Sequence, residues 1–145
     1  MDSRRVRNIV GIALGVVLVV GFGLSRVVGG AGLGGDPAAT CDDPVRWDRA
    51  GEVVGQVSAI VGPVVAATTA EDIGGAPTFL NLGNAHPAPE RFDVVIYEDV
   101  REGFDASPEA LQGRDVCVRG EVRERDGVPQ IVLRGPGWLS EQDGT

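Results

Sequence analysis

Residues 107–134 read SPEALQGRDVCVRGEVRERDGVPQIVLR, and this stretch decides which fold the chain forms. Ser107 offers an N-cap oxygen, Pro108 a first helical position that needs no N–H, and Gly113 a stop. That spacing predicts a helix of one to two turns. From Asp115 the pattern changes to a period of two. Val116, Val118 and Val122 share one face, while Cys117, Arg119, Glu121 and Arg123 point the other way. Asp126-Gly127 supplies a hairpin turn, and Val128 to Arg134 forms the returning strand.

Upstream, Glu52 to Ala67 (EVVGQVSAIVGPVVAA) reads as one long strand. Val53, Val57 and Val61 are expected toward a core and Gln56 and Ser58 toward water, with Gly55 and Gly62-Pro63 as bends or bulges. Turn chemistry follows in Asp72, Gly74, Gly75 and Pro77. Pro77 to Gly83 (PTFLNLG) is a second strand, the loop Ala85 to Pro89 is stiffened by its prolines, and Arg91 to Glu98 (RFDVVIYE) is a third. A further turn is expected at Val100 to Phe104. The element order is β-β-β-α-β-β.

This order, with Gly51-x-Val53, the Gly62-Pro63 bend, Thr78-Phe79-Leu80-Asn81-Leu82-Gly83, Phe92-x-Val94-Val95-Ile96, Leu111-x-Gly113-x-x-Val116-x-Val118-x-Gly120 and Gly127-x-Pro129-Gln130-Ile131-x-Leu133, resembles bacterial OB-fold domains of the nucleic-acid-binding type. Those domains are similar to tRNA anticodon-binding modules and are often found in exported proteins. The resemblance covers residues 51–139. It implies an all-β fold with one short helix, a five-stranded Greek-key barrel that binds along its second and third strands. Leu80, Leu82, Phe92, Val94 and Ile96 then face the core. Phe79, Asn81, Asp93, Val95 and Tyr97 are left outward as the candidate ligand face, with two rings for stacking and an amide for hydrogen bonds. The alternative is that this face only covers the barrel and packs against the preceding segment or its Trp47.

The N-terminus has a different character. Ile9 to Leu24 (IVGIALGVVLVVGFGL) contains no charge, and counting on to Val28 reaches the roughly 20 residues that span a bilayer, with Arg26 snorkelling. Arg4, Arg5 and Arg7 place residues 1–8 in the cytoplasm and the remainder outside. A signal-anchor helix over 9–28 is the expectation, and secretion after signal cleavage or a buried core helix are the alternatives. Cys41 lacks the preceding residues of a lipoprotein site, and Ser3-Arg4-Arg5 only faintly echoes a twin-arginine signal. Residues 29–50 begin with GGAGLGGDPAAT and read as a flexible tether, and 140–145 as a polar tail. In an exported domain, Cys41 and Cys117 are free to form a disulfide, which explains a cysteine on the polar face of a strand. Two unrelated thiols are the alternative.

All 13 basic residues are arginine, against 21 acidic ones. Four arginines lie before residue 29, so residues 29–145 hold 9 Arg and 20 Asp or Glu, a balance of −11. A body of that sign repels polyphosphate and disfavours nucleic acid as a partner. Asp93, Glu98 and Asp99 crowd the candidate face, opposed by Arg91 and Arg101. Arg119, Arg123 and Arg125 alternate with Glu121 and Glu124, a row expected to pair with itself in solvent. His86, the only histidine, has no nitrogen or sulfur ligand near it in sequence, so no metal site is expected and His86 reads as loop filler. Neighbouring carboxylates such as Glu71-Asp72 lack the separated environments that acid–base catalysis needs. No nucleophile motif, phosphate loop or dinucleotide fingerprint occurs, and no cofactor or enzymatic activity is expected. The arginine-only, Gly/Ala/Val-rich composition suggests a GC-rich bacterial source.

These readings describe a membrane-anchored, extracytoplasmic binding or interaction module with an envelope protein or small ligand as partner. The alternatives are a single-stranded DNA or RNA binder that has kept a stacking face, or a purely structural domain.

Overall fold

The computed structural model describes residues 41–143. The expected anchor, residues 1–8 and the first part of the tether lie outside these residues. Among the described residues no helix is long and apolar enough to cross a membrane.

Eight strands form one continuous hydrogen-bonded sheet. They are β1 (Val45–Arg46), β2 (Val57–Thr69), β3 (Thr78–Leu82), β4 (Phe92–Ile96), β5 (Asp115–Glu121), β6 (Arg123–Arg125), β7 (Val128–Val132) and β8 (Leu139–Gln142), with one short α-helix among the described residues, α1 (Glu98–Arg101). β2 is the organising element. Its first half, Val57 to Pro63, pairs antiparallel with β5. Its second half, Val64 to Thr69, pairs antiparallel with β3, after a register shift between Val64 and Ala66. The Gly62-Pro63 bend and the bulge after it let one strand turn from one neighbour to the other, as bulges do at barrel corners. β3 pairs antiparallel with β4, and β4 pairs parallel with β7. β6 and β7 form the expected hairpin across Asp126-Gly127. β5 and β6 are one chain direction interrupted only at Val122, whose N–H and C=O bond to Gln56 and Gly55. The sheet therefore returns on itself in an arrangement compatible with an OB-like barrel.

The expected inward residues of β3, β4 and β5 are fully buried: Leu80, Leu82, Phe92, Val94, Ile96, Val116, Val118 and Val122. Ile131 and Leu133 close the core from β7 and the residue just past it. Ile131 approaches Gly120 so closely that a Cβ there would lie 2.7 Å from its Cγ2.

Three expectations need correction. The phase of β2 is shifted by one: Val57 is 62% exposed, Val61 is half-buried, and Ile60 and Val64 are the core residues. The strand begins at Val57, because Trp47–Val53 forms a 3₁₀ helix instead of strand or tether. Ser140 to Gln142, expected in the polar tail, belong to β8 and pair with β5. The short helix expected after Ser107 is present as one turn of 3₁₀ helix, Pro108–Leu111.

The segment from Cys41 to Val53 is held to the barrel at three points. Cys41 is disulfide-bonded to Cys117, 76 residues away. Cys117 faces away from the core as expected, yet it is buried, because the disulfide partner and β8 cover it. β1 adds a parallel two-residue pairing to Ile60 and Val61. The Trp47 indole lies directly on the backbone of Gly62 and Gly83, where a Cβ at either would collide with it. Gly83 also has φ +83°, which any other residue would adopt under strain. Gly83→Ala is therefore expected to destabilise the fold by about 2–4 kcal/mol, from backbone strain and displacement of the indole together. Urea titration should show a lower midpoint with an unchanged slope.

Candidate functional site

The outward side chains of β3 and β4 line a groove of about 500 Å³. All five residues singled out from the sequence take part: Phe79, Asn81, Asp93, Val95 and Tyr97. Their convergence follows from register. Phe79 stands opposite Val95 and Asn81 opposite Asp93, and alternate residues of neighbouring strands share a face. Asn81, Asp93 and Val95 form a nearly covered floor, while Tyr97 is 36% exposed on the wall. Trp47 is not among the lining residues; its indole lies against Gly62 and Gly83 instead.

The groove has two chemically different ends. Toward the β2–β3 loop it is apolar, with Phe79, Val95, Tyr97, Pro77 and the half-exposed Ile73. The Tyr97 ring rests on Gly75, where an added Cβ would come within 2.9 Å of it, at φ +80°. Arg101 on α1 steadies the same loop, its Nη1 donating to the Ala76 carbonyl at 2.6 Å and the Thr78 hydroxyl at 3.0 Å.

Toward the β3–β4 loop the groove is polar and rigid. Arg91 Nε donates to both carboxylate oxygens of Asp93, at 2.9 and 3.1 Å. The two side chains are only 11% and 10% exposed. Arg91 Nη1 donates to the Ala88 carbonyl at 2.7 Å. Asn81 Nδ2 donates to Asp93 Oδ1 at 2.8 Å, and Asn81 Oδ1 accepts the His86 backbone N–H at 3.2 Å. A buried carboxylate is tolerated only with such partners, and here Asp93 has both a cation and an amide. Asn81 and Asp93 thus bind each other and position the loop instead of standing free.

Arg125, Asp126 and Gln130 complete the polar end. In the arginine row expected to pair with itself in solvent, Arg123 pairs with Glu121 at 3.0 Å, and the break at Val122 separates Arg119 on β5 from Arg125 on β6. Neither Arg91 nor Gln130 belongs to the face expected from the sequence. The place of Arg91 two residues before Asp93 is a signal that could have found it, whereas that of Gln130 depends on the parallel β4–β7 pairing, Asp93 opposite Gln130. Among the described residues no group of three His, Cys, Asp or Glu is placed to hold a metal ion.

Removing Asp93 leaves the Arg91 guanidinium buried and without its counter-charge. Asp93→Ala is therefore expected to cost about 3 kcal/mol of stability, more than Arg46→Ala at an exposed pair (side chains 70% and 43% exposed). Paired denaturant titrations of the two variants check this.

No family model and no curated protein matches the chain. Among solved structures, the chain is similar to asparaginyl-tRNA synthetase from Pyrococcus horikoshii, with TM-score 0.46 and 15% identity over 71% of this chain and 24% of that one. It is also similar to that synthetase complexed with asparaginyl-adenylate, with TM-score 0.41 and 15% identity over 65% of this chain and 20% of that one. The chain spans a quarter or less of the length of those structures.

Proposed function

We propose that the chain is a non-enzymatic binding module of the OB type, anchored by residues 9–28 and displayed outside the cytoplasm. Its ligand face is the groove between Phe79 and Tyr97, and its partner is an envelope protein or a small ligand. One observation carries this reading: the outward side chains of two adjacent strands line a concave site of about 500 Å³ instead of a flat wall. That size, with an apolar end and a few fixed polar groups, is what small-ligand sites have. The Cys41–Cys117 disulfide supports display in an oxidising compartment. The arginines at positions 4, 5 and 7, ahead of an uncharged run, support anchoring with that orientation.

A second reading, binding of single-stranded DNA or RNA, is favoured by the two rings of the groove and by Arg125 at its other end. The acidic balance of the body opposes it.

Two measurements separate these readings. In intact spheroplasts expressing the full chain, added protease should remove the barrel, and both cysteines should resist alkylation until reduced. Protection from the protease would place the barrel on the cytoplasmic side. Fluorescent five- and fifteen-nucleotide DNA and RNA are then titrated into the detergent-solubilised full chain at low salt. The main reading expects no binding that tightens with strand length beyond the added number of equivalent sites. Micromolar binding that does tighten so, falls steeply with salt and is lost with Phe79→Ala would establish the second reading instead.

A further inference from the structure

Resting on the reading of the groove as a ligand face, we infer that it is built for one planar ring carrying one anionic group, the chemistry of a single nucleotide, and not for a polymer. The charges already paired inside the groove decide which group meets a ligand. The Arg91 Nε–H is shared between both carboxylate oxygens of Asp93, and its Nη1 donates to the Ala88 carbonyl. Its charge is neutralised inside the protein. Arg125 also lines the groove, but it makes no ion pair or side-chain hydrogen bond among the described residues. It is the cation left to meet a ligand.

Register fixes where this cation stands. Arg125 is opposite Val128 on β7, and β7 runs parallel to β4 with Gln130 beside Asp93. Arg125 is therefore level with Arg91, about 13 Å of strand from the level of Phe79 and Val95. The length of the arginine side chain shortens that gap. The amide of Gln130 lies between them. A ring held against Phe79 and Tyr97 thus places an attached anionic group within reach of Arg125.

Charge then limits the ligand to one such group. The lining holds Arg91 and Arg125 against Asp93 and Asp126, so it is balanced before a ligand arrives. The carboxylate of Asp126 is adjacent to Arg125 in the turn. Beyond the groove, residues 29–145 carry −11. A second phosphate finds no free arginine in the lining and enters a repulsive field. Affinity per nucleotide therefore does not grow with strand length, unlike that of a single-strand binder with a basic track.

The same ring-plus-phosphate chemistry comes from a free nucleoside monophosphate or from one nucleotide of a strand, and a length series distinguishes them. Thymidylates of one, two, five and fifteen nucleotides are titrated into the full chain in detergent, with backbone amide shifts as the readout and salt as the second variable. The expected result is that the monophosphate shifts amides of residues 79–81 and 93–97, and that affinity per nucleotide stays within about threefold along the series, since a longer strand only multiplies equivalent sites. For the fifteen-nucleotide strand the slope of log affinity against log salt should be about −0.7, one phosphate's worth. Arg125→Gln should flatten that slope, and Arg46→Gln, outside the groove, should not.

Affinity per nucleotide that climbs with length, with a slope several times steeper, overturns the one-anion inference and leaves the groove as a ligand face. Binding that maps elsewhere and survives Phe79→Ala overturns the groove reading itself. If no thymidylate binds, the inference falls, while a protein partner still satisfies the groove.

Discussion

A single strand has to serve two neighbours. β2 is 13 residues long, and its halves pair with β5 and β3. An unbent strand cannot do this, because its hydrogen bonds would keep pointing into one flat sheet. The bend at Gly62-Pro63 and the bulge after Val64 turn it. Proline is tolerable at that place because Pro63 begins the change of partner, where a missing N–H interrupts no continuous ladder. Val64 instead bonds through its N–H to the Arg114 carbonyl and through its C=O to the Gly113 N–H. Those bonds tie the 3₁₀ segment before β5 to the corner. Once β2 is bent, β3 and β4 are curled, and their outward face becomes part of a groove.

The same bend explains why one part of the sequence pattern misleads. In β3 and β4, alternation gives the facing of every residue, because each strand is five residues of regular pleat. The hairpin at Asp126-Gly127 is equally local, since a two-residue turn of that composition sets its own register. The inward set of β5 and the pairing of Cys41 with Cys117 were also legible, the latter because a cysteine among outward polar residues calls for a partner. In β2 the valines at 53, 57 and 61 suggest an inward face, but the strand starts only at Val57 and its true inward positions are Ile60 and Val64. A one-residue error of phase exchanges the two faces completely. Similarly, the roles of Trp47, Gln130 and Leu139–Gln142 depend on contacts with residues far away in the chain. No local periodicity encodes those.

Electrostatics separates the groove from the body that carries it. The overall acidity is a property of exposed side chains in loops and strand ends, and between exposed groups salt screens it over about 10 Å. The Arg91–Asp93 pair is different: it is nearly covered, with one Nε–H shared between both carboxylate oxygens and Asn81 bonded to the same carboxylate, so it is screened far less. Reading charge from composition treats Asp93 as one more repulsive carboxylate on the candidate face. In the structure its charge is cancelled where it stands, and its work is to hold Arg91, Asn81 and the 84–91 loop in one arrangement. The groove thus has a rigid polar end whose charges are already satisfied, facing an aromatic end whose Tyr97 and Ile73 remain open to solvent.

What makes this face available is the way the chain reaches the barrel. Residues 41–53 have a large aromatic side chain, an unpaired strand segment and an outward cysteine to dispose of, and β3 and β4 would offer them an apolar surface. They are placed elsewhere by three independent constraints: the disulfide to Cys117, the β1 pairing to Ile60 and Val61, and the indole seated on Gly62 and Gly83. Two of these depend on residues that cannot be replaced without cost, since glycine alone leaves room for the indole and cysteine alone forms the covalent bond. None of residues 41–53 lines the groove. A segment fixed this firmly away from the curled face leaves Phe79 and Tyr97 without an intramolecular cover from that direction. Their apolar surface is therefore not consumed by the packing of residues 41–53.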